Sequence, residues 1–356
     1  MALDAKRQPP EFRKDLVSGD WILIAPQRRK RPEFFQEKPK KSAKSVRQAK
    51  DIEICPFEDP QKSGNPFPIL WYPRPKTPRE KKNDLSSWFV QVIPNKYPLL
   101  SLPLNPKRPS VKFLGPQQIL KGIGFHEVII TRDHFKTIDK MTIEEAELLL
   151  HVYQKRYQTL ANEPSVHYIL IFHNQGRLAG ASLPHPHSQL IAIPVVDLDL
   201  SGSLTGSQEY HKQYGRCLHC VLLEWDLKQD QRIIYQNEHF VTLTPFTPKV
   251  SYETRIYPVG HNAHFDTISD EERLSLADSL RDALRRIAQA LGNPDYNFFI
   301  HSAPPATEEY NDSYHWHLEI MPRVSGWAGL ELGAGIEVVV VSPEEAAENL
   351  RKAIKK

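Results

Sequence analysis

His185 and His187 sit two residues apart across Pro186, so in extended backbone both side chains leave the same face of the chain. The proline fixes φ and removes a backbone donor, which suits an edge or loop approach to a sheet. With His185 tied to a metal, His187 stands beside a rigid anchor. Its neutral imidazole can then attack an electrophilic phosphorus, dividing one displacement into two easier ones. Ser182 and Gln189 bring hydrogen-bond donors to either side, where charge on a phosphoryl group needs them. Upstream, Asn174-Gln-Gly-Arg-Leu-Ala-Gly-Ala-Ser182 is polar and glycine-bearing, and small residues let a phosphate or ribose approach the backbone. A plain turn explains that segment equally well, and the histidines taken alone also read as polar loop residues.

The chain has 3 cysteines and 15 histidines, and two of the cysteines form Cys217-Leu-His-Cys220. That spacing suits tetrahedral metal ligation better than a disulfide framework. Cys217, Cys220, His261 and His315 make up the ligand set of a closed structural zinc site. Read otherwise, they are buried apolar fillers and satisfied core histidines. The first half offers Cys55, Glu58, His134 and His185, with a carboxylate in place of the second thiolate. Asp59 is an alternative oxygen donor, and hard oxygen donors are less selective for zinc. Without a metal, Glu58 is a solvated loop acid.

These groups recur because almost every landmark of the first half returns in the second. Cys55-Pro-Phe-Glu58 matches Cys217-Leu-His-Cys220, and the strand-like Trp88–Pro94 matches His239–Pro245. Two β-rich runs, from Glu127 to His134 and from Glu253 to His261, each end on a histidine before a helix. Thr142 with Glu145 and Ser269 with Glu272 predict capping boxes. Apolar residues then recur at helical spacing: Leu148, Leu149, Val152 and Tyr153 in one copy, Leu274, Leu276, Leu280, Leu284 and Ile287 in the other. Turn signals at Asn162-Glu-Pro164 and Gly292-Asn-Pro294 stop the helices, and strands follow from Tyr168 and Tyr296. The order strand, strand, helix, strand, strand, read twice, predicts an α+β fold of antiparallel sheets with helices packed on one face. We expect domains at 1–197 and 198–356. A first strand is expected at Trp21–Ala25, and the Lys- and Ser-rich stretch 37–50 reads as a surface loop.

Across 356 residues, 46 Lys and Arg nearly balance 43 Asp and Glu, so no global field draws the chain to nucleic acid or membranes. Any anion site must be local. The start lacks a secretory apolar stretch and no run of about 18 apolar residues is present, so a cytoplasmic location is expected.

Gly180-Ala-Ser-Leu-Pro-His-Pro-His-Ser-Gln189, with Asn174 upstream, closely resembles the active-site signature of galactose-1-phosphate uridylyltransferases, a branch of the histidine-triad superfamily. The resemblance covers nearly the whole chain and implies two tandem histidine-triad-like domains using double-displacement chemistry. It gives His187 the role of covalent nucleophile, and gives Asn174, Gly180, Ala181, Ser182 and Gln189 nucleotide and phosphate contacts. Asn95 and Lys96 match the segment that holds the nucleoside. Arg28 and Arg31 match arginines that reach a substrate on the other subunit, implying a homodimer with shared sites; the bland reading of that basic run is a solvated loop. Two zinc ions per chain are implied. Glu58 departs from the family's usual second cysteine. Ser188 and the Cys217/Cys220 pair lean towards the branch that includes plant-type ADP-glucose phosphorylases.

The leading expectation is exchange of UMP between UDP-glucose and galactose 1-phosphate through a nucleotidyl-His187. The alternatives are a nucleotide-sugar phosphorylase acting on ADP-glucose and a catalytically silent, zinc-stabilised nucleotide-binding protein. Small-molecule partners are expected, a nucleotide sugar and a hexose 1-phosphate.

Overall fold

The computed structural model describes residues 9–30, 52–77, 84–103, 109–196, 198–305 and 307–354. Arg31 and the stretch 37–50 lie outside the described residues. Among the described residues fifteen strands run in chain order: β1 (Glu11–Lys14), β2 (Trp21–Ile24), β3 (Leu70–Pro73), β4 (Trp88–Pro94), β5 (Lys112–Leu114), β6 (Gln117–Ile119), β7 (Phe125–Thr131), β8 (Tyr168–Gln175), β9 (His187–Ile193), β10 (Ile233–Gln236), β11 (Phe240–Leu243), β12 (Thr254–Pro258), β13 (Tyr296–His301), β14 (His317–Pro322) and β15 (Val338–Val339). Ten of them form one sheet in the order β10-β11-β12-β14-β13-β8-β9-β7-β4-β3. Every neighbouring pair in it is antiparallel. The repeat is visible in that order, five strands on each side of the β8–β13 seam.

Each half lays one long helix on the same face of the sheet. Helices α1 (Ile143–Ala161) and α4 (Asp270–Leu291) both start in the expected capping boxes, at Thr142 with Glu145 and Ser269 with Glu272. Gly292, at φ +74°, caps α4 in the left-handed conformation that glycine adopts without a Cβ penalty. Leu149, Val152, Tyr153, Leu276, Leu280, Leu284 and Ile287 bury against alternate sheet residues such as Ile129, Ile169 and Ile256 in one core cluster. Full burial of one such aliphatic side chain contributes about 1.5–3 kcal/mol. Leu274, expected on that stripe, is instead 47% exposed, off the face that Leu276 and Leu280 define.

The opposite face of the sheet carries the chemistry. There β7 turns Val128 and Ile130 into a second cluster with Phe57, Trp88 and Ile93. Two helices that periodicity did not reveal, α2 (Leu198–Tyr214) and α3 (Leu218–Gln229), also pack on this side, through Leu200 and Leu204 near Tyr168 and through Leu223 near Tyr257. Strands β1 and β2 form a hairpin joined in parallel to β15. Two shorter helices, α5 (Gly329–Ala334) and α6 (Pro343–Ala353), complete the described chain. No described helix is long and apolar enough to cross a membrane.

Candidate functional site

His187 is the first residue of β9, buried to 8% exposure, and the Phe57 ring packs against it in a T-shaped contact with 5.2 Å between ring centroids. Its Nδ1 lies 2.8 Å from the carbonyl oxygen of His185. A carbonyl only accepts, so Nδ1 carries the proton and the Nε2 lone pair is left bare. Burial lowers the imidazole pKa below its ordinary value, although the His185 carbonyl acts the other way. The result is a neutral, oriented imidazole with one nitrogen available for attack.

Around it, the sequence-derived contact residues fall on β8, β9 and two loops. Gln189 follows on the same face of β9, and Asn174 lies on β8. Gly180 and Ala181 close the turn after β8, with Ala181 N–H donating to Gly176 O at 3.1 Å. Gly180 adopts φ +86° and Gly176 φ +87°. An added Cβ at Gly176 would fall 2.0 Å from the Asp295 carboxylate, which accepts from Leu178 N–H at 2.6 Å. The turn is thereby pinned to the second half of the chain. Ser182 is exposed beside it. Asn95, after β4, accepts from Tyr97 N–H at 2.9 Å, and Lys96 is exposed. Arg28 is exposed in a short 3-10 turn, Pro26–Lys30, and is not part of this cluster in the single chain. Ser188 faces the helices instead, bonded to Tyr153 and, at 2.9 Å, to His173.

Both expected ligand quartets converge. Cys55, Glu58, His134 and His185 offer atoms within 4.8 Å of one another, and so do Cys217, Cys220, His261 and His315. In the first, His185 Nε2–H donates to Thr131 O at 2.6 Å, leaving Nδ1 bare. That bare nitrogen faces the Glu58 carboxylate at 3.4 Å, with His134 Nδ1 2.5 Å from the same oxygen. Burial holds the His185 pKa down to about 4, so lone pair meets lone pair, an arrangement that a cation between them reconciles. In the second, Cys220 Sγ lies 3.2 Å from His261 Nδ1 and 3.4 Å from His315 Nδ1. His261 Nε2–H donates to Asn311 O at 2.7 Å, again turning the bare nitrogen inward. A hydrogen bond from Cys220 lowers the Cys217 pKa, which favours the thiolate form that ligates metal. Asp59 pairs with Lys62 at 2.7 Å and does not join the first quartet.

A family model described as galactose-1-phosphate uridyl transferase, N-terminal domain, matches residues 2–196, more than half of the chain. The chain belongs to the galactose-1-phosphate uridylyltransferase family. A second model, described only as a domain of unknown function, matches residues 117–356. An ADP-glucose phosphorylase of Arabidopsis thaliana is 33% identical over 98% of this chain and 94% of its own length. A galactose-1-phosphate uridylyltransferase of Thermotoga maritima is 30% identical over 72% of this chain and 82% of its own. Among solved structures, the Arabidopsis ADP-glucose phosphorylase with bound ADP-glucose superposes with a TM-score of 0.80 at 30% identity, covering 98% of this chain and 100% of that one. A uridylyltransferase structure gives 0.69 at 26% identity, covering 96% and 98%. Family membership carries the general kind of reaction, nucleotidyl transfer.

Three residues at this site escaped the sequence reading: Phe57 against His187, His126 against Gln189, and Asn297 against Asn174. Phe57 lies inside the Cys55–Glu58 motif and was legible as its apolar member. His126 and Asn297 carry no local signal, because their partners are 63 and 123 residues away.

Proposed function

We propose that the chain breaks down a nucleoside-diphosphate sugar through a nucleotidyl-His187 intermediate, with an ADP-sugar as donor and inorganic phosphate as acceptor. The single observation that carries the mechanism is the His187 Nδ1–H···O=C bond to His185 in a buried setting, which leaves Nε2 neutral and aimed. Nε2 attacks the α-phosphorus, the bond to the bridging oxygen breaks, and the sugar 1-phosphate leaves with that oxygen. Phosphate then attacks the same phosphorus, the N–P bond breaks, and a nucleoside diphosphate departs as His187 returns to neutral. Donors from Gln189, Asn174 and Ser182 stabilise the charge that develops on the phosphoryl oxygens, and the small residues Gly180 and Ala181 let the phosphate approach the backbone. Asn95 and Lys96 flank the nucleoside.

Zinc fits both quartets by donor set and by the inward bare nitrogens, and supplies rigid anchoring when bound. Through Cys55, Glu58, His134 and His185 it would hold the backbone whose carbonyl sets the His187 tautomer. Through Cys217, Cys220, His261 and His315 it would tie α3 to the second half of the sheet. We place the domain boundary at 197/198. Arg28 and Arg31 would reach the substrate of a second copy in a homodimer, since a guanidinium fork suits phosphate.

The ADP-sugar reading rests on the Arabidopsis phosphorylase, which matches over nearly both full lengths, and on its ADP-glucose complex. Uridylyl exchange between UDP-glucose and galactose 1-phosphate is the second reading, favoured by the Thermotoga relative and the family model. Intact-mass measurement after mixing the enzyme with ADP-glucose or UDP-glucose, without acceptor, separates them: an adenylyl adduct is expected. Phosphate should then discharge it as ADP. A uridylyl adduct discharged by galactose 1-phosphate would establish the second reading, and no adduct with either donor would overturn both.

A further inference from the structure

Two carboxamides flank His187, and an amide offers either a donor or an acceptor to a substrate depending on which way it is turned. For each, a buried neighbour sets the direction, and that neighbour is itself fixed by a group that can only donate.

On one side, His126 Nδ1 lies 3.2 Å from Leu99 N, and a backbone N–H only donates. Nδ1 therefore accepts, and the proton of the neutral imidazole sits on Nε2. Nε2–H meets Gln189 Oε1 at 2.8 Å. With its oxygen taken, Gln189 presents its NH2 to the site. Asn95 Nδ2, 3.0 Å from the same His126 nitrogen, is a contact and not a second bond, because Asn95 Oδ1 is already held by Tyr97 N–H.

On the other side, Arg323 Nε–H donates to Asn297 Oδ1 at 2.6 Å, and a guanidinium never accepts. Asn297 Nδ2 is then turned the other way, donating to Ala179 O at 2.8 Å and to Asn174 Oδ1 at 2.7 Å. Asn174 must present its own NH2. His173 pairs with Ser188 across β8 and β9, so the next residue, Asn174, stands opposite His187. Asn297 pairs with Asn174 across the β8–β13 seam and is itself 3% exposed.

We infer that His126 and Asn297 are positioning residues that lock Gln189 and Asn174 as a preset pair of donors around His187. This rests on the functional reading above and deepens it: the site is built for an anionic phosphoryl group before any substrate arrives, and one of the two locks comes from the second half of the chain. Preset donors need no reorganisation as charge develops, which is where such groups contribute most to rate.

The test is single-turnover adduct formation with the nucleotide sugar that the wild-type enzyme accepts, alongside donor affinity and thermal unfolding. Asn297→Asp keeps the size and the acceptor for Arg323 but has no donor; His126→Phe keeps the ring but loses both nitrogens. Each should slow adduct formation about ten- to hundredfold while donor affinity moves less than about threefold. His126→Gln, whose amide can donate to Gln189, should recover most of the rate. In the doubles, Asn297→Asp should cost no more than about twofold once Asn174→Ala has removed its target, and His126→Phe likewise over Gln189→Ala. Losses that multiply fully in the doubles, or single variants at the wild-type rate, would overturn the positioning role while leaving the nucleophile intact. A wild-type enzyme without any adduct would overturn the functional reading and the positioning role with it.

Discussion

His187 and His317 hold the same place in the two halves, two residues after a metal-cluster histidine and at the start of the strand that follows, yet their surroundings differ in kind. His187 has the Phe57 edge on one side and amide donors on the other. His317 is stacked on Tyr257 at 4.8 Å and crowded by His301 at 5.1 Å and His219 at 5.6 Å. Where Val128 pairs with Gln189 in the first half, Arg255 pairs with Glu319 in the second. Arg255 also holds Glu253 at 2.7 Å, and burial together with Glu319 raises the Glu253 pKa to about 7. A mainly apolar cavity of about 490 Å³ opens between the β1–β2 segment, at Phe12, Val17 and Trp21, and His219, Arg255 and Tyr257, and does not include His187. A buried ion network of this type satisfies itself, and its carboxylates repel a phosphate. The two halves share a scaffold and differ in the charges that face the sheet, neutral Val128 and Gln189 in one and Arg255 and Glu319 in the other.

The sharpest break of that comparison is His187→Ala against His317→Ala. The first should abolish the adduct in intact-mass spectra while metal content stays unchanged; the second should leave adduct formation within about threefold and lower stability by about 2–4 kcal/mol, as loss of a large buried ring does. Adduct formation surviving in His187→Ala would move the nucleophile elsewhere.

Next in size is the metal. Cys217→Ser should release one zinc per chain by elemental analysis and cost several kcal/mol of stability, since closed thiolate sites contribute directly to folding. Glu58→Ala should release the other. Unchanged metal content in either variant rejects that quartet as a ligand set.

Moving the second half's residue into the first, Gln189→Glu exchanges a donor for a carboxylate. The adduct rate should drop about a hundredfold with unfolding unchanged, and a rate near wild type would show that Gln189 does not face the phosphoryl group.

The smallest effect is on pH. Attack needs neutral His187, and burial holds its pKa below the ordinary value of about 6.5. The adduct rate should therefore stay level as pH falls through 6.5 and decline only below that. Phe57→Ala, by admitting water, should move the inflection upward, and an unmoved inflection would separate the pKa from this contact.

Much of this was legible in the sequence because it is local. The capping boxes at Thr142 and Ser269, the β-strand Trp88–Pro94 and the two ligand quartets all announce themselves by short spacings or by recurrence. Helices α2 and α3 were missed for a physical reason: α2 has the weakly patterned stretch Leu198 to Tyr214, and α3 begins at the cysteine pair that reads first as a metal loop. The locks at His126 and Asn297 and the Arg255 network depend on which residues stand opposite each other in the sheet. Strand order across the seam, not any motif, decides that.

The seam itself limits how the chain can be taken apart. Tyr168–Gln175 and Tyr296–His301 pair through five successive residues in the middle of the ten-stranded sheet. Cutting between the halves would turn each into an open edge, a row of unpaired N–H and C=O groups along apolar strands, which is a template for aggregation. The repeat is thus indivisible: the two halves expressed apart should be sticky and insoluble, and soluble only when made together.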